Sequence, residues 1–358
     1  MILLFLKKYR TPLLLVIILL LLAPSAILGL FLVNTPGSGR NIQILEFGKG
    51  QSLKKFASVL EERRIITNAW CFTLYARLRG DDGRVKAGYY QFSDAMTPTE
   101  VLRRMVAGEV YSMRFAVPEG YSIYQIAELL AGRRLFDKEV FLKECFSRPL
   151  LLELGINGKS VEGYLYPCTY DITPDMTAAD LIRLMEGQFE KVYARDFAAQ
   201  AKTARLSKRE IITLASMIEK EAVRPEEMPL IASVFHNRLR RRMPLQSDPT
   251  SIYGVRAFAG NISKQDLANA TPFNTYLISG LPPGPIGNPG RGALEAALKP
   301  AVTSYLYFVA KKDGTHYFST ALEEHNAAVR KYLKTSAKPL PQPVREYRSE
   351  QPGLVGRR

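Results

Sequence analysis

The sequence predicts an α+β protein: an N-terminal transmembrane helix, then a mixed α/β module with an internal repeat, then a mainly helical domain with one β-hairpin. Three observations predict it. Leu13 to Val33 carries no charge. A block around Phe47 returns 70 residues later. Beyond about residue 160, apolar residues recur mostly at helical spacing.

At 1.5 Å per residue the Leu13–Val33 run is long enough to cross a bilayer core. Lys7, Lys8 and Arg10 precede it and no charge lies between Asn34 and Gly39, which predicts a cytoplasmic N-terminus and a single pass. A cleaved signal peptide is the rival reading. Pro24-Ser25-Ala26 is a poor cleavage site and the apolar run continues past it, so an uncleaved anchor is expected. A Gly/Pro/Ser linker follows over 34–40.

In the repeat, Gly50/Gly120, Ser52/Ser122, Leu53/Ile123, Phe56/Ile126, Ala57/Ala127 and Leu60/Leu130 coincide, and each copy ends in an Arg-Arg pair at 63–64 and 133–134. Each reads as a strand, a glycine turn, a serine N-cap and an amphipathic helix. Between the copies, a helix from Ala69 to Arg79, a strand from Val85 to Phe92 and a helix opened by Thr97-Pro98-Thr99-Glu100 are predicted. The strand–turn–helix unit resembles the LysM module, so residues 41–150 are expected to form one LysM-like module of two related halves. Further on, long helices over Thr177–Lys202 and Met228–Arg241 flank one opened by the Ser207…Glu210 capping box. Asp313-Gly314 marks a hairpin between Tyr305–Ala310 and Thr315–Ser319. A closing helix capped at Thr320 completes a domain over 151–334, and the proline-rich stretch 335–358 reads as a disordered tail. The 12 residues before the anchor complete the order.

The net charge of +15 predicts a polyanionic neighbour. Around Arg238, Arg240, Arg241 and Arg242 there is no RNA-binding aromatic signature and no zinc-finger spacing, so membrane lipid or wall polymer is expected and nucleic acid is not. Cys71, Cys145 and Cys168 form no CxxC pair and are expected to be free thiols. His236, His316 and His325 form no metal-ligand pattern, and no nucleophile elbow or phosphate loop is present, so neither metal nor cofactor is implied.

Carboxylates remain for catalysis. At 100° per residue, Glu219 shares a helical face with Ile212, Ala215, Ser216, Ala222 and Val223, while Glu221 points to the opposite side near Glu210 and Met217. A carboxyl group among small apolar residues is expected to hold its proton near neutral pH, which suits a general acid. A solvent-facing acid at a frayed helix end is the structural alternative. Three further segments group the side chains that a glycan groove needs: Glu162-Gly-Tyr-Leu-Tyr-Pro-Cys-Thr-Tyr170, Leu245-Gln-Ser-Asp-Pro-Thr-Ser-Ile-Tyr-Gly254 and Thr271-Pro-Phe-Asn-Thr-Tyr-Leu-Ile-Ser-Gly280. Glu162, Tyr164, Gln246, Ser247, Asp248, Tyr253, Asn274 and Tyr276 are the candidate substrate-binding residues.

Leu214-Ala-Ser-Met-Ile-Glu-Lys-Glu221, Val234-Phe-His-Asn-Arg-Leu239, Leu245-Gln-Ser-Asp-Pro-Thr250, Asn274-Thr-Tyr276, Gly280-Leu-Pro-Pro-Gly284 and Glu324-His-Asn-Ala-Ala328 resemble the endolytic murein transglycosylase (YceG-like) family. The resemblance runs from the anchor to about residue 334. It implies that 151–334 is a lytic transglycosylase domain cutting peptidoglycan glycan strands at the cell membrane, with Glu219 catalytic and peptidoglycan synthases as partners. Cys168 stands where the family usually has aspartate, so it receives no catalytic role. A non-catalytic wall-binding scaffold and a lysozyme-type hydrolase are the alternatives.

Overall fold

The computed structural model describes residues 22–204, 206–255 and 261–333. Residues 22–33 are helical (α1), and Phe31 is buried against the first core. Among the described residues no helix is long and apolar enough to cross a membrane. Residues 1–21, with over a third of the predicted span, and the predicted tail 335–358 lie outside them.

The chain divides into two compact units at Phe115, with residues 171–176 returning to the first. Both are mixed α+β, mostly helices with small sheets. The first unit holds β1 (Ile42–Phe47), α2 (Leu53–Glu62), α3 (Ala69–Leu78), β2 (Gly88–Ser93) and α4 (Pro98–Ala107). β1 and β2 pair antiparallel, with Ile42 opposite Ser93 and Phe47 opposite Gly88. Phe47, Phe56, Leu60, Phe72, Tyr90, Phe92, Val101 and Met105 fill the core beneath them. β2 starts later than the predicted Val85 because the Lys86 N–H donates to the Met105 carbonyl (3.1 Å), which takes residue 86 off the ladder.

β3 (Met113–Ala116) straddles the division. The second unit continues with α5 (Ile123–Gly132), α6 (Lys138–Cys145), α7 (Arg148–Glu153), β4 (Thr169–Ile172, also at the division), α8 (Ala178–Asp196) and α9 (Ala198–Ala201). Then come α10 (Lys208–Glu221), α11 (Met228–Arg240), α12 (Asp248–Ile252), α13 (Lys264–Leu267), α14 (Arg291–Leu298), β5 (Tyr307–Ala310), β6 (His316–Ser319) and α15 (Leu322–Leu333). The predicted 177–202 helix breaks at Phe197, whose φ of −126° leaves the helical region. The Asp313-Gly314 hairpin forms, pairing Tyr307 with Ser319 and Ala310 with His316.

The repeat is real in backbone terms. Gly50 and Gly120 take φ of 78° and 76°, the left-handed region that glycine enters without steric cost. Ser52 and Ser122 both cap the helix that follows, accepting from the N–H groups of Lys55 and Gln125. Arg64 and Arg134 end the two motifs at φ of 57° and 55°. The copies nevertheless belong to different units. The division between the units falls at Phe115, and the second copy's turn and helix make hydrogen bonds to segments far along the chain.

α10 is the axis of the second unit. Ser207 and Glu210 complete both bonds of the capping box, and every residue from Ile211 to Ile218 is buried. A helix apolar around most of its circumference is stable only when covered on most sides. α11, α12 and α14 do so. Cys71 and Cys145 are buried free thiols, and Cys168 is a half-buried one.

Candidate active site

The face of α10 that carries Glu219 runs along the loop 285–290. Gly163, at φ 89°, leaves the room into which Ile212 and Pro285 pack. One turn on, Ser216 Oγ accepts from the Ile286 N–H (3.0 Å). At the helix end, Glu219 Oε2 accepts from the N–H of Gly290 (3.0 Å), the N-cap residue of α14. Backbone N–H groups at a helix start favour a carboxylate there. Gly120 closes the other side, where an added Cβ would stand 3.1 Å from Glu219 Cγ. Glu219 is half-buried, so its carboxyl is held yet reachable.

Asn288 holds this arrangement together with no exposed surface. Its backbone exchanges two hydrogen bonds with the second repeat's turn: Gly120 N–H to Asn288 O (2.8 Å) and Asn288 N–H to Tyr121 O (2.9 Å). Its side-chain oxygen accepts from the N–H groups of Gly163 (2.9 Å) and Leu165 (2.8 Å). Its Nδ2 donates to Tyr121 O (2.8 Å) and to Glu162 Oε1 (3.0 Å).

Glu162 is 2% exposed and accepts further from the Ile123 N–H (3.0 Å) and the Tyr253 hydroxyl (2.9 Å). Burial pushes its carboxyl up to about 7, against the pull of those donors and of Lys220. Lys220 is pushed down to about 8 by burial, countered by the charges of Glu162 and Glu219, and donates to Gln125 Oε1 (3.1 Å).

Glu221 faces elsewhere, as helical geometry requires. Its Oε1 accepts from Ser247 Oγ (2.5 Å). Burial pushes this carboxyl up to about 7, the Ser247 bond opposes that, and the Asp248 charge adds to it. The Tyr276 hydroxyl donates to Asp248, and Gln246 Oε1 accepts from Arg238 (3.0 Å). Ser247 N–H bonds Thr275 Oγ1 (2.9 Å), and Asn274 Nδ2 ties the Leu267 and Asn269 carbonyls (3.0 and 2.8 Å).

The candidates thus fall into two groups, one on each side of the end of α10. Glu162 and Tyr253 lie in the Glu219 network; Gln246, Ser247, Asp248 and Tyr276 gather near Glu221, with Asn274 bracing the adjoining loop. Tyr164 joins neither: it packs edge-on against Phe189 (ring centroids 5.5 Å apart) beside Arg209 and Glu186. Ser247, Asn274, Glu162, Tyr253 and Tyr164 are buried, so their hydrogen bonds shape the site from within, whereas Gln246 and Asp248 are exposed and Tyr276 half-exposed. Sequence reasoning missed Asn288 and Gly290, although both sit in the proline- and glycine-rich stretch 280–290. That composition was the available signal.

The YceG-like family profile matches residues 45–331. A Bacillus subtilis protein named endolytic murein transglycosylase is 35% identical over 302 residues, 80% of this chain and 83% of its own length. A Streptococcus pneumoniae protein of the same name is 30% identical over 319 residues, and the match spans 58% of its length. The crystal structure of a YceG-like protein from Listeria monocytogenes is 33% identical, with a TM-score of 0.57 covering 80% of this chain and 99% of that one.

Proposed function

The chain belongs to the YceG-like family, and from that premise we propose that it is an endolytic lytic transglycosylase, a lyase that cuts peptidoglycan glycan strands. The bond broken is the β-1,4 link between N-acetylmuramic acid and N-acetylglucosamine. Glu219 protonates the departing oxygen. As a carboxylate it then takes the proton of the muramic C6 hydroxyl, which closes on C1 to give a 1,6-anhydro end. An intramolecular nucleophile makes a water-activating base unnecessary. The observation that carries this reading is a half-exposed carboxyl fixed at the end of a buried helix by the Gly290 N–H and the Gly120 surface. Gln246, Asp248 and Tyr276 are the exposed candidates for holding sugars.

The order β1–α2–α3–β2 in the first unit, with β1 antiparallel to β2, supports a LysM-like glycan-binding role for it. The charge-free run Leu13–Val33, after three basic residues, supports a single-pass anchor in the cell membrane with the N-terminus cytoplasmic. Nascent strands made by neighbouring synthases are then the substrate within reach. A reporter fused after Lys334 that worked only in the cytoplasm would sink this placement.

Glu219→Gln keeps shape and removes the titrating proton. Cleavage of glycan strands should fall by at least about 10²–10⁴-fold, since one residue serves both proton transfers. Near-normal cleavage by this variant would refute the assignment, and labelled water oxygen at the cut ends would mean hydrolysis instead.

A further inference from the structure

A second carboxyl group approaches the same place. Glu119, exposed on the turn of the second repeat, lies over Gly290: a Cβ added to Gly290 would stand 2.1 Å from Glu119 Oε1. Two glycines therefore make room for two acids. Gly120 accommodates Glu219, and Gly290 accommodates Glu119 while donating its N–H to Glu219. Since a backbone nitrogen and its Cβ are about 2.5 Å apart, the two carboxyl groups lie within about 8 Å of each other. That is a separation at which two acids can flank one glycosidic bond.

The turn bearing Glu119 is fixed at its backbone by the Gly120 N–H to Asn288 O bond. The nearby Arg291 guanidinium is engaged by Asp196. The first repeat provides the contrast. Lys49 occupies the position of Glu119 there, and a Cβ added to Gly50 would meet nothing within 4 Å.

We propose that Glu119 is a second catalytic carboxylate, set opposite Glu219 across Gly290 and facing the muramic acid ring as its C1–O bond breaks. The proposal rests on the reading of Glu219 given above. Glu219 gives its proton to the departing oxygen, the C1–O bond breaks, and the C6 oxygen bonds to C1 while its proton passes to Glu219. Glu119 forms no bond and moves no proton. Its negative charge stabilises the positive charge that builds on C1 and the ring oxygen.

The test uses the full chain and polymeric glycan strands, counting anhydro ends. Glu119→Gln should lower kcat by about 10²–10³-fold with KM little changed, as expected for a group that acts on charge developing in the transition state. Gly290→Ala is the second variant. Gly290 has a φ of −77°, which alanine adopts freely, and the obstructing atoms are the far end of the exposed Glu119 side chain. It should therefore fold, displace Glu119 and lower kcat likewise, and the double variant should be no worse than Glu119→Gln alone. A near-normal kcat in Glu119→Gln, or a loss confined to KM, overturns the proposal. If Glu119→Gln fails to fold, Gly290→Ala decides: lowered kcat supports it and normal kcat overturns it. Glu219→Gln in the same assay separates the two readings. Cleavage by that variant overturns the role of Glu219, whereas its inactivity beside a fully active Glu119→Gln overturns only the role of Glu119.

Discussion

The two repeat turns share a backbone and differ in almost everything around it. In the first, Gly48 to Ser52 is open and basic, with Lys49, Lys54 and Lys55 exposed and open space where a Gly50 side chain would stand. In the second, Gly120 to Ser122 is enclosed: Asn288 bonds its backbone, Glu219 presses on Gly120, and Ser122 is 1% exposed. The local code of glycine and serine builds the same turn twice. What makes one of them part of the proposed reaction centre is supplied by residues about 100 to 170 positions later in the chain.

The sharpest way to break this comparison is to add one methyl group to each turn. Gly120→Ala strains the left-handed backbone and pushes on Glu219 Cγ, so anhydro-end formation should fall by at least about tenfold. Gly50→Ala carries the same backbone strain, worth about 1–2 kcal/mol, and should lower the melting temperature while leaving kcat unchanged. Equal kinetic losses in the two variants would erase the distinction. Ser122→Ala should cost more stability than Ser52→Ala in denaturant unfolding. Both lose a cap worth about 1 kcal/mol, but only Ser122 is buried and completes a capping box.

The smallest effect concerns pH. Glu162 and Glu221 both have folded values of about 7 against an ordinary 4.5. Folding favours their protonated forms, so the stability they confer is complete below about pH 4.5 and is lost as pH rises toward 7. Melting temperature should therefore decline across that window, and Glu162→Gln should flatten the decline. Its amide would face the donors of Ile123, Tyr253 and Asn288, so the variant should also be less stable by about 1–3 kcal/mol at low pH. A decline as steep as the wild type's would assign the pH response elsewhere.

Much of this was legible in the sequence because it is local. Caps at Ser52, Thr97, Ser122 and Ser207, the Asp313-Gly314 hairpin, and the opposed faces of Glu219 and Glu221 all follow from spacings of a few residues. The rest depends on distant pairings. Glu162 beside tyrosines reads as a sugar site, yet the same composition serves a buried network once Ile123, Tyr253 and Asn288 converge on it. The division at Phe115 depends on distant pairings of the same kind. Nothing within residues 117–135 announces that its partners lie at 162 and 288.

Gly120, Glu219 and Gly290 come from widely separated parts of the chain, and that spacing has a consequence for synthesis. A chain made only as far as α10 already carries the proposed acid, but lacks the Gly290 N–H that holds Glu219 and the Asn288 that pins the turn beside it. On the proposed mechanism, chains that end before residue 288 lack part of the site. With Glu219 as its acid, a protein able to sever the cell's load-bearing polymer would acquire its cutting edge only when nearly the last of its helices has been laid down.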